Sequence, residues 1–249
     1  MIILKSPEEL KKIRKSCRIV ATVLEELKIY IKEGLTTKQI EQFIENFIIK
    51  MGGIPAFKGY RGYPASACIS INEQVVHGIP SEKVFIKEGD IVSVDVGVIY
   101  DSFYGDAAYT YSVGKISEEA EKLLKVTEEA LYKGIAEAIP GNRVGDISNA
   151  IQSHVEANGF SVVRAFVGHG IGMSLHEDPQ IPNFGSKGVG PKLKKGMTLA
   201  IEPMVNAGTH EVKILSDGWT AVTKDGSLSA HFEHTIAITE GEPEILTKL

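Results

Sequence analysis

Cysteine is scarce in this 249-residue chain, with only Cys17 and Cys68 present. Two thiols are too few for a disulfide framework or a thiolate zinc site. Basic residues do not dominate: 27 Lys and Arg against 32 Asp and Glu leave a net charge of −5. That balance argues against broad electrostatic binding to nucleic acid. No apolar run is long enough for a membrane span, and Met1-Ile2-Ile3-Leu4 before the first charges is no signal peptide. There is a single tryptophan, Trp219. What is present, 43% hydrophobic and 24% charged residues, is the composition of a globular chain long enough for a sizeable core. The expectation is a cytoplasmic protein.

The most informative stretch runs from Gly89 to Tyr111 and reads as two apolar strands joined by a short polar turn. Asp95 lies inside the β-branched run Ile91–Val96, and Asp106 precedes Ala107-Ala108-Tyr109. A turn about Tyr100-Asp101 would set the two aspartates directly opposite one another on one face. Like charges so placed repel, and a metal ion would compensate them. Taken alone, the hairpin is equally compatible with one Asp that merely caps a turn.

An internal duplication favours the metal. Ser6-Pro7-Glu8-Glu9 opens a first helix, and Thr36 with Gln39 opens a second that stops at Gly52-Gly53. Residues 54 to 88 read as loop-rich with short strands, and a second helix pair begins at Ser117. A shift of 107 residues carries Leu24 onto Leu131, Gly34 onto Gly141, Ile40 onto Ile147, Ile44 onto Ile151 and Gly52 onto Gly159. It also carries Asp95 onto Glu202, and with about 20 extra residues in the second half Asp106 falls on Glu233. A turn-capping Asp has no reason to recur as a strand-borne Glu. The reading is an α/β (α+β) chain of two helix–helix–hairpin halves, approximately 1–114 and 115–249, forming one catalytic domain around a shared antiparallel sheet.

Asp95, Asp106, Glu202 and Glu233 gathered at one centre would repel strongly in a low-dielectric cleft. Two divalent cations would cancel that charge and bring the net charge from −5 to about −1. Hard oxygen donors with an imidazole suit manganese, iron(II), cobalt or zinc. Among seven histidines, His169 lies between glycines in GHG, where backbone can approach a ligand closely, and is the expected metal ligand. His77 and His176 are read as hydrogen-bonding or proton-transfer groups. His154, His210, His231 and His234 are assigned to surface or packing. Such a site performs metal-assisted hydrolysis, with Glu202 as the proton acceptor.

Five segments together resemble the type I methionine aminopeptidases over nearly the whole chain. They are GYRGYPASACISINEQVVHGIP (59 to 80), the Asp95/Asp106 hairpin, GHGIGMSLHEDPQIPNF (168 to 184), GMTLAIEPM (196 to 204) and DGWTAVTKDGSLSAHFEHT (217 to 235). The resemblance implies a pita-bread fold with an internal pseudo-two-fold. It implies a dinuclear site held by Asp95, Asp106, His169, Glu202 and Glu233, with Asp106 and Glu233 bridging. It also implies that His77 and His176 contact substrate, and that Tyr60, Tyr63, Cys68 and Trp219 join His77 around the methionine side chain. From the residues alone, Trp219 reads as a core aromatic and Cys68 as a small buried residue. Phe57, where the family often has cysteine, and Leu175, where an aromatic often precedes the second histidine, depart from the pattern.

The implied reaction removes the initiator methionine from nascent chains whose second residue is small. The partners expected are those chains and, transiently, the ribosome, with no membrane or direct nucleic-acid recognition and a monomeric state. No zinc-finger extension or inserted helical subdomain is evident. The alternatives are a proline-specific aminopeptidase or dipeptidase of the same fold, which usually carries an extra N-terminal domain, and a non-catalytic binding protein, which should lack the metal ligands.

Overall fold

The computed structural model describes residues 1–249. Helix α1 (Pro7–Tyr30) starts at Ser6, whose hydroxyl accepts from the Glu9 amide while the Glu9 carboxylate accepts from the Ser6 amide. Helix α2 (Thr37–Lys50) starts with the same reciprocal cap between Thr36 and Gln39. Strands β1 (Ile54–Pro55), β2 (Cys68–Ile71), β3 (Gln74–Val76), β4 (Ile91–Tyr100) and β5 (Phe103–Ser112) complete the first half. A single 3-10 turn, Tyr60–Gly62, lies between β1 and β2.

The second half repeats the plan. Helix α3 (Glu118–Ala136) is capped by Ser117, and α4 (Val144–Ala157) occupies the positions of α2 displaced by 107 residues. The punctuating glycines correspond in conformation as well as in position. Gly34 and Gly141 have φ of 87° and 102°, Gly52 and Gly159 have 79° and 87°, and Gly89 and Gly196 have 91° and 89°. Each turn therefore uses left-handed backbone that a side chain would strain. Strands β6 (Ser161–Val162), β7 (Val167–Gly170), β8 (Glu177–Pro182) and β9 (Thr198–Ile201) follow. An excursion then carries β10 (Met204–Asn206), β11 (Val212–Ile214), β12 (Ala221–Thr223) and β13 (Ser229–His231) before β14 (His234–Ala237) and β15 (Glu244–Ile245).

Every strand pairing is antiparallel, with β4 flanked by β2 and β5 in one half and β9 flanked by β7 and β14 in the other. Each half has its own core. One runs from Ile19 to Val113, and the other draws all but Ile91 from residues beyond 114. A smaller apolar cluster holding Phe57, Tyr63, Cys68, Ile171 and Leu175 takes side chains from both halves.

The halves meet along a seam between β5 and the chain around β13 and β14. The Thr235 hydroxyl donates to the Asp106 carbonyl at 2.7 Å and accepts from the Asp106 amide at 3.2 Å. The Glu233 amide donates to the Ala108 carbonyl at 2.9 Å. The Thr110 hydroxyl donates to the His231 carbonyl at 2.8 Å and accepts from the His231 amide at 3.0 Å. The pattern is reciprocal: each side lends one buried threonine that satisfies both backbone groups of a residue on the other.

The hairpin register differs from expectation by two residues. Asp95 pairs with Ala108, and Asp106 pairs with Gly97. The turn is Asp101-Ser102, both at positive φ (48° and 67°), as a tight two-residue hairpin requires. Asp95 and Asp106 are thus diagonal rather than direct neighbours. An offset of two preserves the face, because strand side chains alternate with a period of two.

Candidate metal centre and active site

Asp95 and Asp106 project from the middle of β4 and β5, whose central residues are largely buried. Glu202 follows the last residue of β9, where Pro203 ends the pairing, and Glu233 stands between β13 and β14. His169 is carried by β7, against Ala200 of β9. The two carboxylates of each half and this imidazole converge where the seam crosses.

The His169 Nε2 lies 3.5 Å from Glu202 Oε1 and 3.9 Å from Asp106 Oδ2. Ligand atoms of Asp106, His169 and Glu233 all fall within 4.8 Å of one another. The His169 Nδ1 is 2.9 Å from the Gly170 carbonyl. A carbonyl can only accept, so Nδ1 holds the proton and Nε2 turns its lone pair toward the acids.

The electrostatics favour a bound cation. Asp106 and Glu233 are 4% and 2% exposed. Burial pushes the Asp95 carboxyl up to about 7, reinforced by the charge of Glu202. Burial alone pushes Glu202 up to about 8. Burial, and after it the neighbouring acids, raises Asp106 and Glu233 well above the usual carboxylate range. Burial holds His169 down at about 3 and His77 at about 4, so both imidazoles are neutral at physiological pH. Buried Oδ1 of Asp95, Oδ1 of Asp106 and Oε1 of Glu233 have no hydrogen-bond partner. Orphaned buried carboxylate oxygens are costly, and divalent cations satisfy them. The donor set therefore fits hard divalent ions.

Beside the acids is a cavity of about 340 Å³, and all eleven residues singled out by sequence line it. On one wall the Tyr60 hydroxyl is 2.8 Å from His176 Nδ1, and the two rings stack. The His176 and His169 rings lie with centroids 4.2 Å apart. On the other wall, Trp219 stands edge-on to Tyr63 at 5.2 Å and to His77 at 6.2 Å. The Tyr63 hydroxyl donates to the Gly78 carbonyl at 2.9 Å. Cys68 pairs with Asp95 across β2 and β4, which puts its buried thiol next to the acids. Phe57 and Leu175 also line the cavity.

His77 is at φ 60°, and Gly78 comes so close to β2 that a Cβ there would lie 2.2 Å from the Ile69 carbonyl oxygen. A non-glycine residue in the left-handed region is uncommon, and here it stands on the cavity wall.

Two residues escaped the sequence reading. Phe166 packs edge-on against His77 at 5.3 Å, and only its place shortly before GHG could have drawn attention to it. His231, assigned to surface or packing, is 1% exposed with its Nε2 3.5 Å from Glu202 Oε2. Its strand β13 pairs with β10, two residues beyond Glu202, and that pairing brings the two side chains together. His234 does pack, between Tyr132 and Thr247, His154 pairs with Glu129, and His210 is exposed.

Comparison with known proteins agrees with this site. Residues 11–240 match the model of metallopeptidase family M24. The chain is 57% identical to methionine aminopeptidase 1 of Bacillus subtilis over 249 residues, covering 100% of both chains. It superposes on the crystal structure of methionine aminopeptidase from Thermotoga maritima with a TM-score of 0.99 at 53% identity, again covering both chains fully. It superposes on prolidase from Pyrococcus furiosus with a TM-score of 0.81 at 25% identity, covering 99% of this chain but 66% of the prolidase. The architecture shared by these structures is the pita-bread α/β fold. Carboxylates that converge from two similar halves onto one histidine, in a chain matched from end to end by these relatives, place it in metallopeptidase family M24, among sequences of the type I methionine aminopeptidase kind.

Proposed function

We propose that the chain is a metal-dependent aminopeptidase that removes N-terminal methionine from polypeptides whose second residue is small. The observation that carries this reading is the cavity itself, in which an aromatic wall of Tyr63, Trp219 and Phe57 adjoins His169 and the four carboxylates. An unbranched thioether is flexible and polarizable, and suits contact with aromatic edges and with the Cys68 sulfur. Asp95, Asp106, His169, Glu202 and Glu233 would hold the divalent ions. When bound, such ions polarise the scissile carbonyl and acidify a water molecule.

The chain's own groups do the rest. Glu202 accepts the proton of the attacking water and returns it to the departing amine. His176 accepts at Nδ1 from the Tyr60 hydroxyl, which leaves its proton on Nε2 to be donated to the carbonyl oxygen as negative charge develops there. His77, held at left-handed backbone and braced by Phe166, hydrogen-bonds the substrate peptide at the cavity mouth. The enzyme acts in the cytoplasm as a monomer, on chains leaving the ribosome. No helix is long and apolar enough to cross a membrane.

The test is hydrolysis of Met-Ala-Ser and of a Gly-Pro peptide after chelation and after return of cobalt, manganese, iron(II) or zinc. Activity on Met-Ala-Ser is expected only with metal, with losses of about 10²-fold or more in His77→Ala and Glu202→Ala. Preference for the Gly-Pro peptide would make the protein a prolidase-type enzyme. Full activity of the chelated protein would end the metal mechanism.

A further inference from the structure

The metallopeptidase reading uses five side chains around the ions, but a sixth polar group is buried among them. The His231 Nε2 is fully buried and without a hydrogen-bond partner, 3.5 Å from Glu202 Oε2. The other oxygen of that carboxylate, Oε1, is the one 3.5 Å from His169 Nε2. Glu202 therefore stands between two imidazoles, with one oxygen turned to each. His231 itself is held rigidly, since Thr110 satisfies both its amide and its carbonyl and β13 pairs it with Met204.

We propose that His231 is a positioning residue that donates its Nε2–H to Glu202 Oε2 and so presents Oε1 to the metal. This rests on the metallopeptidase reading of the site. A neutral imidazole carries one N–H, and a carboxylate oxygen beside it can only accept. A small rotation of the Glu202 carboxyl group closes the contact to hydrogen-bond length. One oxygen thus anchored, Glu202 binds through the other alone and in one orientation. An arrangement with His231 itself as ligand is sterically open, because ligand atoms of Glu202, His231 and Glu233 also lie within 4.8 Å of one another. The positioning role is favoured because His231 approaches the oxygen of Glu202 that is turned away from His169.

The variants that separate these roles are His231→Gln, whose amide N–H reaches the same oxygen, and His231→Leu, which fills the space without a donor. The full chain is stripped with chelator, then titrated with Co(II) by calorimetry and by visible absorption, and kcat and KM are measured on Met-Ala-Ser. His231→Leu is expected to weaken Co(II) affinity by about 10- to 100-fold and to lower kcat with little change in KM. His231→Gln is expected to restore affinity to within about 3-fold and to keep the wild-type absorption bands. Wild-type affinity in His231→Leu would overturn the proposal. An equal change of the Co(II) bands in both variants would also overturn it, by making His231 a ligand. Should His231→Leu fail to fold, His231→Asn, too short to reach Oε2, takes its place with the same expectations. Failure of the wild-type chain to take up Co(II) would instead remove the metallopeptidase reading on which the proposal stands.

Discussion

The Tyr60 hydroxyl and the Nδ1 of His176 are 2.8 Å apart, on rings stacked with centroids 5.3 Å apart. Arg61, at the strained φ of 48°, lays its guanidinium over the same Tyr60 ring. The hydrogen bond fixes which nitrogen of His176 is free to face substrate. Tyr60→Phe keeps the stacking and removes only that bond, so kcat/KM on Met-Ala-Ser should fall about 10-fold, the equivalent of ~1.4 kcal/mol. Steady-state kinetics measure this, and an unchanged value would mean that His176 is oriented by packing alone.

Metal should stabilise the protein as well as activate it. Divalent ions that bind the folded site and not the unfolded chain contribute ~2.7 kcal/mol at one hundred times their dissociation constant. The Tm of the chelated protein should rise on adding Mn(II) or Co(II). The rise should vanish in Asp106→Asn, which withdraws one charge from the cluster of acids. Differential scanning calorimetry reads both, and an equal metal-induced rise in Asp106→Asn would count against its ligand role.

The pH dependence of the metal-free protein has a definite sign. Asp95 and Glu202 are raised to about 7 and about 8, with burial the main cause in each. The folded chain thus keeps protons that the unfolded chain releases above about pH 4. The stability these two groups contribute is present at acid pH and is lost as pH rises through 7 and 8. His169 and His77, depressed by burial to about 3 and about 4, act oppositely, but only below the ordinary histidine pKa of about 6.5. From about pH 6.5 to 8.5 the carboxyls govern this site, so the Tm of the chelated protein should fall over that range. The metal-loaded protein should not follow it, because ions bind the deprotonated acids. Parallel melts of both forms test this, and a Tm that rises with pH in the chelated form would contradict it.

The seam threonines carry stability out of proportion to their size. Thr235 is fully buried and satisfies both backbone groups of Asp106. Thr235→Val keeps the shape and strands a buried amide and carbonyl, at a cost of about 1–3 kcal/mol. Urea unfolding measures the loss. Metal affinity should also drop, because the backbone that aims Asp106 is no longer held.

Phe57 should tune substrate choice. Its ring is so close to Gly97 that a Cβ there would meet Cε1 at 2.4 Å, which fixes the ring against the cavity wall. Phe57→Ala should cost about 3–5 kcal/mol of stability. It should also raise KM for methionyl peptides while admitting bulkier N-terminal side chains such as phenylalanine. Competition assays between the two substrates report the change, and an unaltered ratio would show that Phe57 only packs.

Much of this architecture was legible because the chain is punctuated by residues with strict physical demands. Ser6, Thr36 and Ser117 mark the helix starts they in fact cap. The glycine pairs related by 107 residues mark turns that need left-handed backbone in both halves. The hairpin register was misread by two residues because Asp101 and Ser102 adopt positive φ without a glycine or asparagine to announce it. The acid-bearing face of the strands is unaffected, since an even slip leaves each side chain on its face. Trp219 had no signal of its own, because β12 and the turn before it are carried to Tyr63 and His77 only by pairing with distant β3. His231 was lost for the same reason: its neighbour Glu202 is reached through a strand pairing, not through any local spacing.

The threonine seam also sets an order of events. Asp95 and Asp106 belong to the segment synthesised first, while His169, Glu202 and Glu233 come later and reach them only across the seam. The core from Ile19 to Val113 lies wholly within the leading segment, yet that segment carries only two of the five clustered side chains and cannot assemble the cluster alone. On the metallopeptidase reading, high-affinity ion capture would report that both segments have docked, and a chain halted midway through synthesis would be catalytically silent.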